Sequence, residues 1–180
     1  MRFLAISGSL RAGSSNKAAL AAAALLAPEG VAIDLYEDLG HLPHFNPDLD
    51  TEAPPHAVRA LREMVGGSDA LVLSSPEYAH GIAGAFKNAL DWLVGSVEFP
   101  GKPVAIFNTS PRATHAEAQL REILTTMSAH LVESASISLP LLASGLEAQA
   151  IAENPQLAAR VREALKALAE AAAAPGELAR

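Results

Sequence analysis

The residues best suited to chemistry in this chain of 180 residues lie in two glycine-bearing segments. The first, Gly8-Ser9-Leu10-Arg11-Ala12-Gly13-Ser14-Ser15-Asn16, follows the apolar run Phe3 to Ser7 and opens a helical stretch. A helix N-terminus carries unpaired N–H groups and partial positive charge, so it suits an anion. Ser9, Ser14, Ser15 and Asn16 add side-chain donors, and Arg11 adds a planar guanidinium fork that matches phosphate oxygens. Gly8 and Gly13 are expected to let the backbone come close and bend where a side chain would forbid it. A hydrogen bond to a charged group contributes about 1.5–3 kcal/mol, so several together would hold a terminal phosphate. The competing reading is a plain strand–helix turn in which Ser14 or Ser15 caps the helix. An arginine among several hydroxyls exceeds what a cap requires. Neither GxxxxGK[ST] nor GxGxxG is present, which argues against nucleoside-triphosphate hydrolysis and against a dinucleotide fingerprint.

The second segment runs Ser74-Ser75-Pro76-Glu77-Tyr78-Ala79-His80-Gly81-Ile82-Ala83-Gly84 and precedes a helix. Such a turn, from Pro76 through Gly81, can present backbone N–H and C=O groups to a flat heterocycle. Tyr78 reads equally as a stacking ring or as packing for the loop. Glu77 reads as orienting the turn or approaching a ligand, with orientation favoured. Phe86 and Trp92 read as core residues, and Lys87 and Asp91 as a surface pair in the weaker orientation. His41, His44 and His56 fall in or beside a long loop. His80 and His115 lie nearer the expected site but read as solvated. No HExxH or comparable ligand set occurs, so no metal is expected.

These segments need elements to position them. Strands are expected at Phe3–Ser7, Val31–Tyr36, Asp69–Ser75, Pro103–Thr109 and Leu131–Leu139. Helices are expected at Ser15–Ala27, His56–Val65, Gly84–Val94, Thr114–Ala129 and Pro155–Ala174, the last with a fraying tail. The strands are apolar along their length rather than at alternate residues, as strands buried on both faces are. The expected fold is α/β: a three-layer, doubly wound, five-stranded parallel sheet forming one domain over 1–180. Ligands of such sheets bind beyond the carboxyl ends of the strands, where the strand order reverses. That draws attention to the loops after the first, third and fourth strands.

Composition narrows the chemistry further. Cysteine is absent, which excludes disulfides, thiolate nucleophiles and cysteine-ligated metals. Twenty acidic residues against thirteen basic ones leave a net charge of −7, so no nucleic-acid partner is expected. The apolar run after Met1-Arg2 is too short for an export signal, and no later run is long enough for a membrane helix. A cytoplasmic protein with no membrane partner is the expectation.

GSLRAGSSN, with SPEYAHGIAGAFKNALDWL, resembles the NAD(P)H-dependent FMN reductase family of flavodoxin-like proteins, which includes quinone and chromate reductases. Its motif GSxRxxSxN is met at Gly8, Ser9, Arg11, Ser14 and Asn16. Its motif PEYNxxxPGxLKNAIDW is met at Pro76, Glu77, Tyr78, Gly84, Lys87, Asn88, Asp91 and Trp92. Gly101-Lys102-Pro103-Val104 and Gln119-Leu120-Arg121 add a third match, and the resemblance covers about residues 1–140. It implies FMN as cofactor, its phosphate held at Ser9, Arg11, Ser14 and Asn16. Pro76 to Gly81 would lie along the ring and ribityl chain, including Ala79 and His80, with Ser110 at the ring's other edge. It also implies electron transfer from NAD(P)H to a small oxidised acceptor (quinone, metal oxyanion, azo compound or free flavin) by a ping-pong mechanism with no catalytic side chain. A homodimer or homotetramer is implied as well. The alternative is a non-catalytic flavin-binding electron carrier. The chain departs from the family at Ala79 (asparagine), at Ala83 (proline, which should loosen the turn) and at Ser110-Pro111-Arg112-Ala113-Thr114-His115, where a glycine-rich loop is usual. Arg112 there would either attract the dinucleotide's phosphates or sit in solvent.

Overall fold

The computed structural model describes residues 1–174, and the expected fraying tail beyond Ala174 lies outside them. The central strands are β1 (Arg2–Ser7), β2 (Ala32–Tyr36), β3 (Ala70–Ser74) and β6 (Pro103–Asn108). They are joined by a short hairpin, β4 (Glu77–Tyr78) and β5 (Gly81–Ile82), and followed by β7 (His130–Leu131) and β8 (Ile137–Ser138). The sheet order is β2-β1-β3-β6-β7, with β8 also paired to β6, and every pairing in it is parallel. This is the doubly wound order of flavodoxin-like folds, and it reverses direction beside β1.

Helices cover both faces. On one face Leu4, Ile6, Leu71, Leu73 and Ile106 pack with Leu61, Phe86, Trp92 and Leu120. Those four come from α2 (His56–Gly66), α3 (Gly84–Val94) and α4 (Thr114–Thr126). On the other face Phe3, Ala5, Val72 and Phe107 pack with Leu20, Val161 and Leu165. These belong to α1 (Ser15–Leu25) and α6 (Pro155–Ala173), and the short α5 (Ala148–Glu153) lies between them in the chain. Alternate residues of one strand thus feed opposite layers, which is why the strands read as continuous apolar runs.

The fifth strand is the main departure from expectation. It is broken by a 3₁₀ turn at Glu133–Ala135, and only its two ends pair with β6. Ser136 explains the break: its hydroxyl accepts from the Ile106 N–H at 3.1 Å and donates to Val132 O at 3.2 Å, taking the place of strand backbone. The hairpin β4–β5 and helix α5 were not expected from the sequence. Helix α4 stops at Thr126 rather than Ala129 because Ser128 adopts φ 60, turning its carbonyl toward the Gly101 N–H.

The long loop after β2 is fastened to α3. Trp92 Nε1 and Asn88 Nδ2 both donate to Pro43 O, at 2.8 and 2.9 Å, and Asn88 Oδ1 accepts from the Phe45 N–H. The Phe45 ring meets Trp92 edge-on at 5.0 Å. At the opposite end of the sheet Lys102 donates to Ser68 O, and burial lowers its ammonium pKa. The third sequence match is thus structural at Lys102.

Gly8, where β1 turns toward α1, has no room for a side chain. A Cβ there would lie 2.9 Å from Ser75 Oγ and 3.0 Å from Phe86 Cβ. The serine can rotate, but a Cβ is fixed to its backbone. Close approach, not an unusual φ, explains this glycine; Gly13 has open space around it and needs neither explanation. Gly8→Ala should therefore destabilise the fold by about 1–3 kcal/mol through overpacking, read as a lower urea midpoint with unchanged slope.

Candidate functional site

The carboxyl ends of β1, β3 and β6 open on a cleft of about 370 Å³, within the size range of small-ligand sites. The loop after β1 contributes Ser9, Arg11, Ser14, Ser15 and Asn16. The loop after β3 contributes Ser75, Pro76, Glu77 and Tyr78, and the loop after β6 contributes Thr109, Ser110, Arg112 and Ala113. Leu142, beyond β8, closes the fourth side. Ala79, His80 and Gly81 lie outside this lining and form the tip of the β4–β5 hairpin.

The β1 loop is built from local bonds. Ser14 caps α1, its hydroxyl accepting from the Asn16 N–H at 3.2 Å. Ser15 Oγ donates to Leu141 O, and Ser9 Oγ accepts from the Arg11 N–H. Asn16 is buried, with Oδ1 2.7 Å from Ser74 Oγ and 3.1 Å from Thr109 Oγ1. Its amide carbonyl thus faces the ends of β3 and β6. The Arg11 guanidinium is exposed and makes no ion pair among the described residues. Capping and anion binding are not exclusive: Ser14 caps the helix while lining the cleft.

Glu77 orients the hairpin. Its Oε2 accepts from the Ala116 N–H at 2.9 Å, supplying the cap that Ala113 cannot give to α4. Gln119 Oε1 adds a second strap by accepting from the Ile82 N–H at 2.8 Å. The hairpin tip turns through two left-handed residues, Ala79 at φ 49 and His80 at φ 59. An alanine in that region costs roughly 1–2 kcal/mol, a cost asparagine bears more easily. Ala83 is not loosened by the lack of proline: its φ is −57, a value proline would fix, and its N–H donates to Ser75 Oγ.

Tyr78 is 58% exposed, so it does not pack against its own loop. Phe86 and Trp92 are fully buried, as expected, and Lys87 pairs with Asp91. The exposed His80 and His115 rings meet edge to face at 4.4 Å, and His80 Nδ1 lies 3.3 Å from Glu77 Oε1. No cluster of His, Asp or Glu able to hold a metal occurs among the described residues. Tyr36 is no candidate acid or base: burial, then Asp38, pushes its phenol up to about 12.

The loop after β6 is a tight turn. Ala113 N–H donates to Ser110 O and Ser110 N–H to Asn108 Oδ1, both at 2.9 Å. Asn108 Nδ2 donates to Glu117, which with Glu133 holds Arg121. Thr109, Ala113 and Leu142 escaped the sequence reading; only their places after the strands' carboxyl ends could have flagged them.

The sequence profile of the family described as NADPH-dependent FMN reductase matches residues 1–142. An NAD(P)H-dependent FMN reductase of Pseudomonas aeruginosa is 34% identical over 173 residues, spanning 93% of each chain. A quinone reductase of Pseudomonas putida is 40% identical over 111 residues, 59% of this chain and 58% of that one. Among solved structures, the flavoenzyme NAD(P)H:(acceptor) oxidoreductase FerB of Paracoccus denitrificans superposes with TM-score 0.72 at 28% identity, covering 94% of this chain and 97% of that one.

The Ala116 N–H holds the Glu77 carboxyl below its ordinary value, aided by the nearby His115 and His80. A lowered native value means the strap stabilises fully above the unfolded-state pKa of about 4.5 and weakens as pH falls through the lower native one. The Ala116 amide should therefore resist hydrogen exchange at neutral pH and lose protection in Glu77→Ala, as read by heteronuclear NMR.

Proposed function

This chain belongs to the NADPH-dependent FMN reductase family, and on that premise we propose that it passes electrons from NAD(P)H to a small oxidised acceptor at the cleft between the β1, β3 and β6 loops. It is an oxidoreductase, and its cofactor is FMN. Quinones are the acceptor class we favour, since curated relatives carry that name; metal oxyanions, azo compounds and free flavin are further candidates.

One observation carries the assignment of the site. Arg11 stands free at the head of α1 beside the hydroxyls of Ser9, Ser14 and Ser15. The set fits a phosphate: a planar cation, the Ser9 and Ser14 hydroxyls and the remaining amides of a helix start line the cleft, while the Ser15 hydroxyl gives its proton to Leu141 O and the Asn16 N–H is capped by Ser14. Asn16 supports that corner from beneath. The ring then belongs beside Pro76, Glu77 and Tyr78, with Ser110 facing its other edge and the hairpin tip Ala79-His80-Gly81 above. FMN held at these residues would supply the two-electron redox chemistry that links NAD(P)H to the acceptor in a ping-pong cycle. The protein's part is placement. Glu77 and Gln119 fix the hairpin against α4, so the Tyr78 shelf keeps its position through the cycle. Gly8 lets β1 reach Ser75 and α3 without opening the floor.

Leu10, Tyr78 and Leu142, each more than half exposed, suit burial by a second copy. We assign the working form to a homodimer or homotetramer on that ground. Among the described residues no helix is long and apolar enough to cross a membrane. A cytoplasmic site of action fits the NAD(P)H requirement.

Purified protein should be yellow and should oxidise NADPH with a quinone present, giving parallel double-reciprocal lines. A flavin-bearing protein that leaves NADPH untouched would be an electron carrier instead. Arg11→Ala should raise the FMN dissociation constant about 10- to 150-fold, the equivalent of one charged hydrogen bond. Its circular dichroism should be unchanged, because the side chain forms no ion pair among the described residues. Titration of apoprotein followed by flavin fluorescence checks this.

A further inference from the structure

The cleft holds two arginines, and one terminal phosphate accounts for only one of them. Arg112 lines the cleft from the loop after β6, exposed and without an ion pair among the described residues. The backbone that carries it is a closed turn. Ser110-Pro111-Arg112-Ala113 is a four-residue turn closed by Ala113 N–H to Ser110 O, with proline in the second place, where its fixed φ favours a turn. Asn108 ties the turn to α4 through Glu117. Arg112 therefore lines the cleft from a hydrogen-bonded turn, and its guanidinium makes no ion pair or hydrogen bond among the described residues. Glu77 is the one carboxylate lining the cleft among the described residues, and the Ala116 N–H and His80 already face it.

We propose that Arg112 is a specificity-determining residue that binds a phosphate of the reductant, NAD(P)H. This rests on the FMN assignment above, which commits Arg11 to the cofactor. Every nicotinamide dinucleotide brings phosphates to the cleft in each cycle, whereas a quinone acceptor need carry no charge. A guanidinium fork on a fixed turn suits that anion, and a solvated lysine would match it less well. Because the side chain makes no ion pair or hydrogen bond among the described residues, its removal should act on ligands rather than on the fold.

The test compares Arg112→Ala and Arg112→Lys with the wild-type holoenzyme, using menadione as acceptor throughout. The KM for NADPH should rise about tenfold more than that for N-benzyl-1,4-dihydronicotinamide, which has no phosphate. Calorimetric binding of NADP⁺ should weaken about tenfold in Arg112→Ala and less in Arg112→Lys. Equal changes for both reductants overturn the inference, as does unchanged NADP⁺ binding. An increased KM only for a sulfonated quinone would assign Arg112 to the acceptor and overturn it too. Loss of FMN from Arg112→Ala, seen in the visible spectrum, would assign Arg112 to the cofactor. A wild-type protein that retains no FMN would overturn the cofactor site itself, and this inference with it.

Discussion

A buried polar knot at the carboxyl edge of the sheet holds the three cleft loops in register. Asn16, at the head of α1, places its amide carbonyl beside the hydroxyls of Ser74 at the end of β3 and Thr109 just past β6. Ser74 Oγ also lies 2.6 Å from Phe107 O, so β3 and β6 are joined beneath the cleft by a side chain as well as by their ladder. Gly8 N–H donates to Ser74 O at 2.7 Å, which brings β1 into the same knot. Polar groups in such surroundings are costly to leave unpaired, so the loops cannot separate without exposing several at once. The cleft is thus fixed before any ligand arrives.

The core strands were legible because burial on both faces gives uninterrupted apolar runs, and β1, β3 and β6 fall close to where those runs lie. The fifth strand was not, because Ser136 acts through its side chain, and a hydroxyl replacing a ladder bond looks like any strand serine. The hairpin at Glu77–Ile82 was hidden for another reason. Its tip uses Ala79 and His80 in left-handed conformations, where sequence rules look for glycine or asparagine. The β1 loop was visible because helix starts and arginines advertise themselves by type. Leu142 was not, since a lone leucine far along the chain carries no mark of its position in space.

Charge shows why local groups decide what this acidic molecule can hold. The net charge of −7 opposes anions at long range, but salt screens exposed charges beyond about 8–10 Å at physiological ionic strength. Among the described residues the cleft lining itself presents two guanidinium groups against one carboxylate, which already faces a backbone amide and an imidazole. An anionic ligand therefore meets a favourable field only after it has entered, which places selectivity in the cleft rather than in the surface at large.

The longer of the two family motifs is largely architectural beyond its Pro76-Glu77-Tyr78 start. Asn88 and Trp92 hold the loop at Pro43 and Phe45, Lys87 pairs with Asp91, and Gly84 opens α3; none of these lines the cleft. The contacts facing a ligand come instead from the loops: Ser9, Arg11, Ser14, Asn16, Pro76, Glu77 and Tyr78 match the family's motifs there, and Arg112 does not. Ala79 and Ala83 replace family residues at places the backbone absorbs, by a left-handed turn in one case and an added N–H bond in the other. The turn after β6 differs in kind. A glycine-rich loop offers backbone alone, whereas a proline-bearing turn with a guanidinium that has no ion pair among the described residues adds a charge to the cleft lining. A scaffold that remains constant beneath such a substitution lets one short loop reset which anion the site admits.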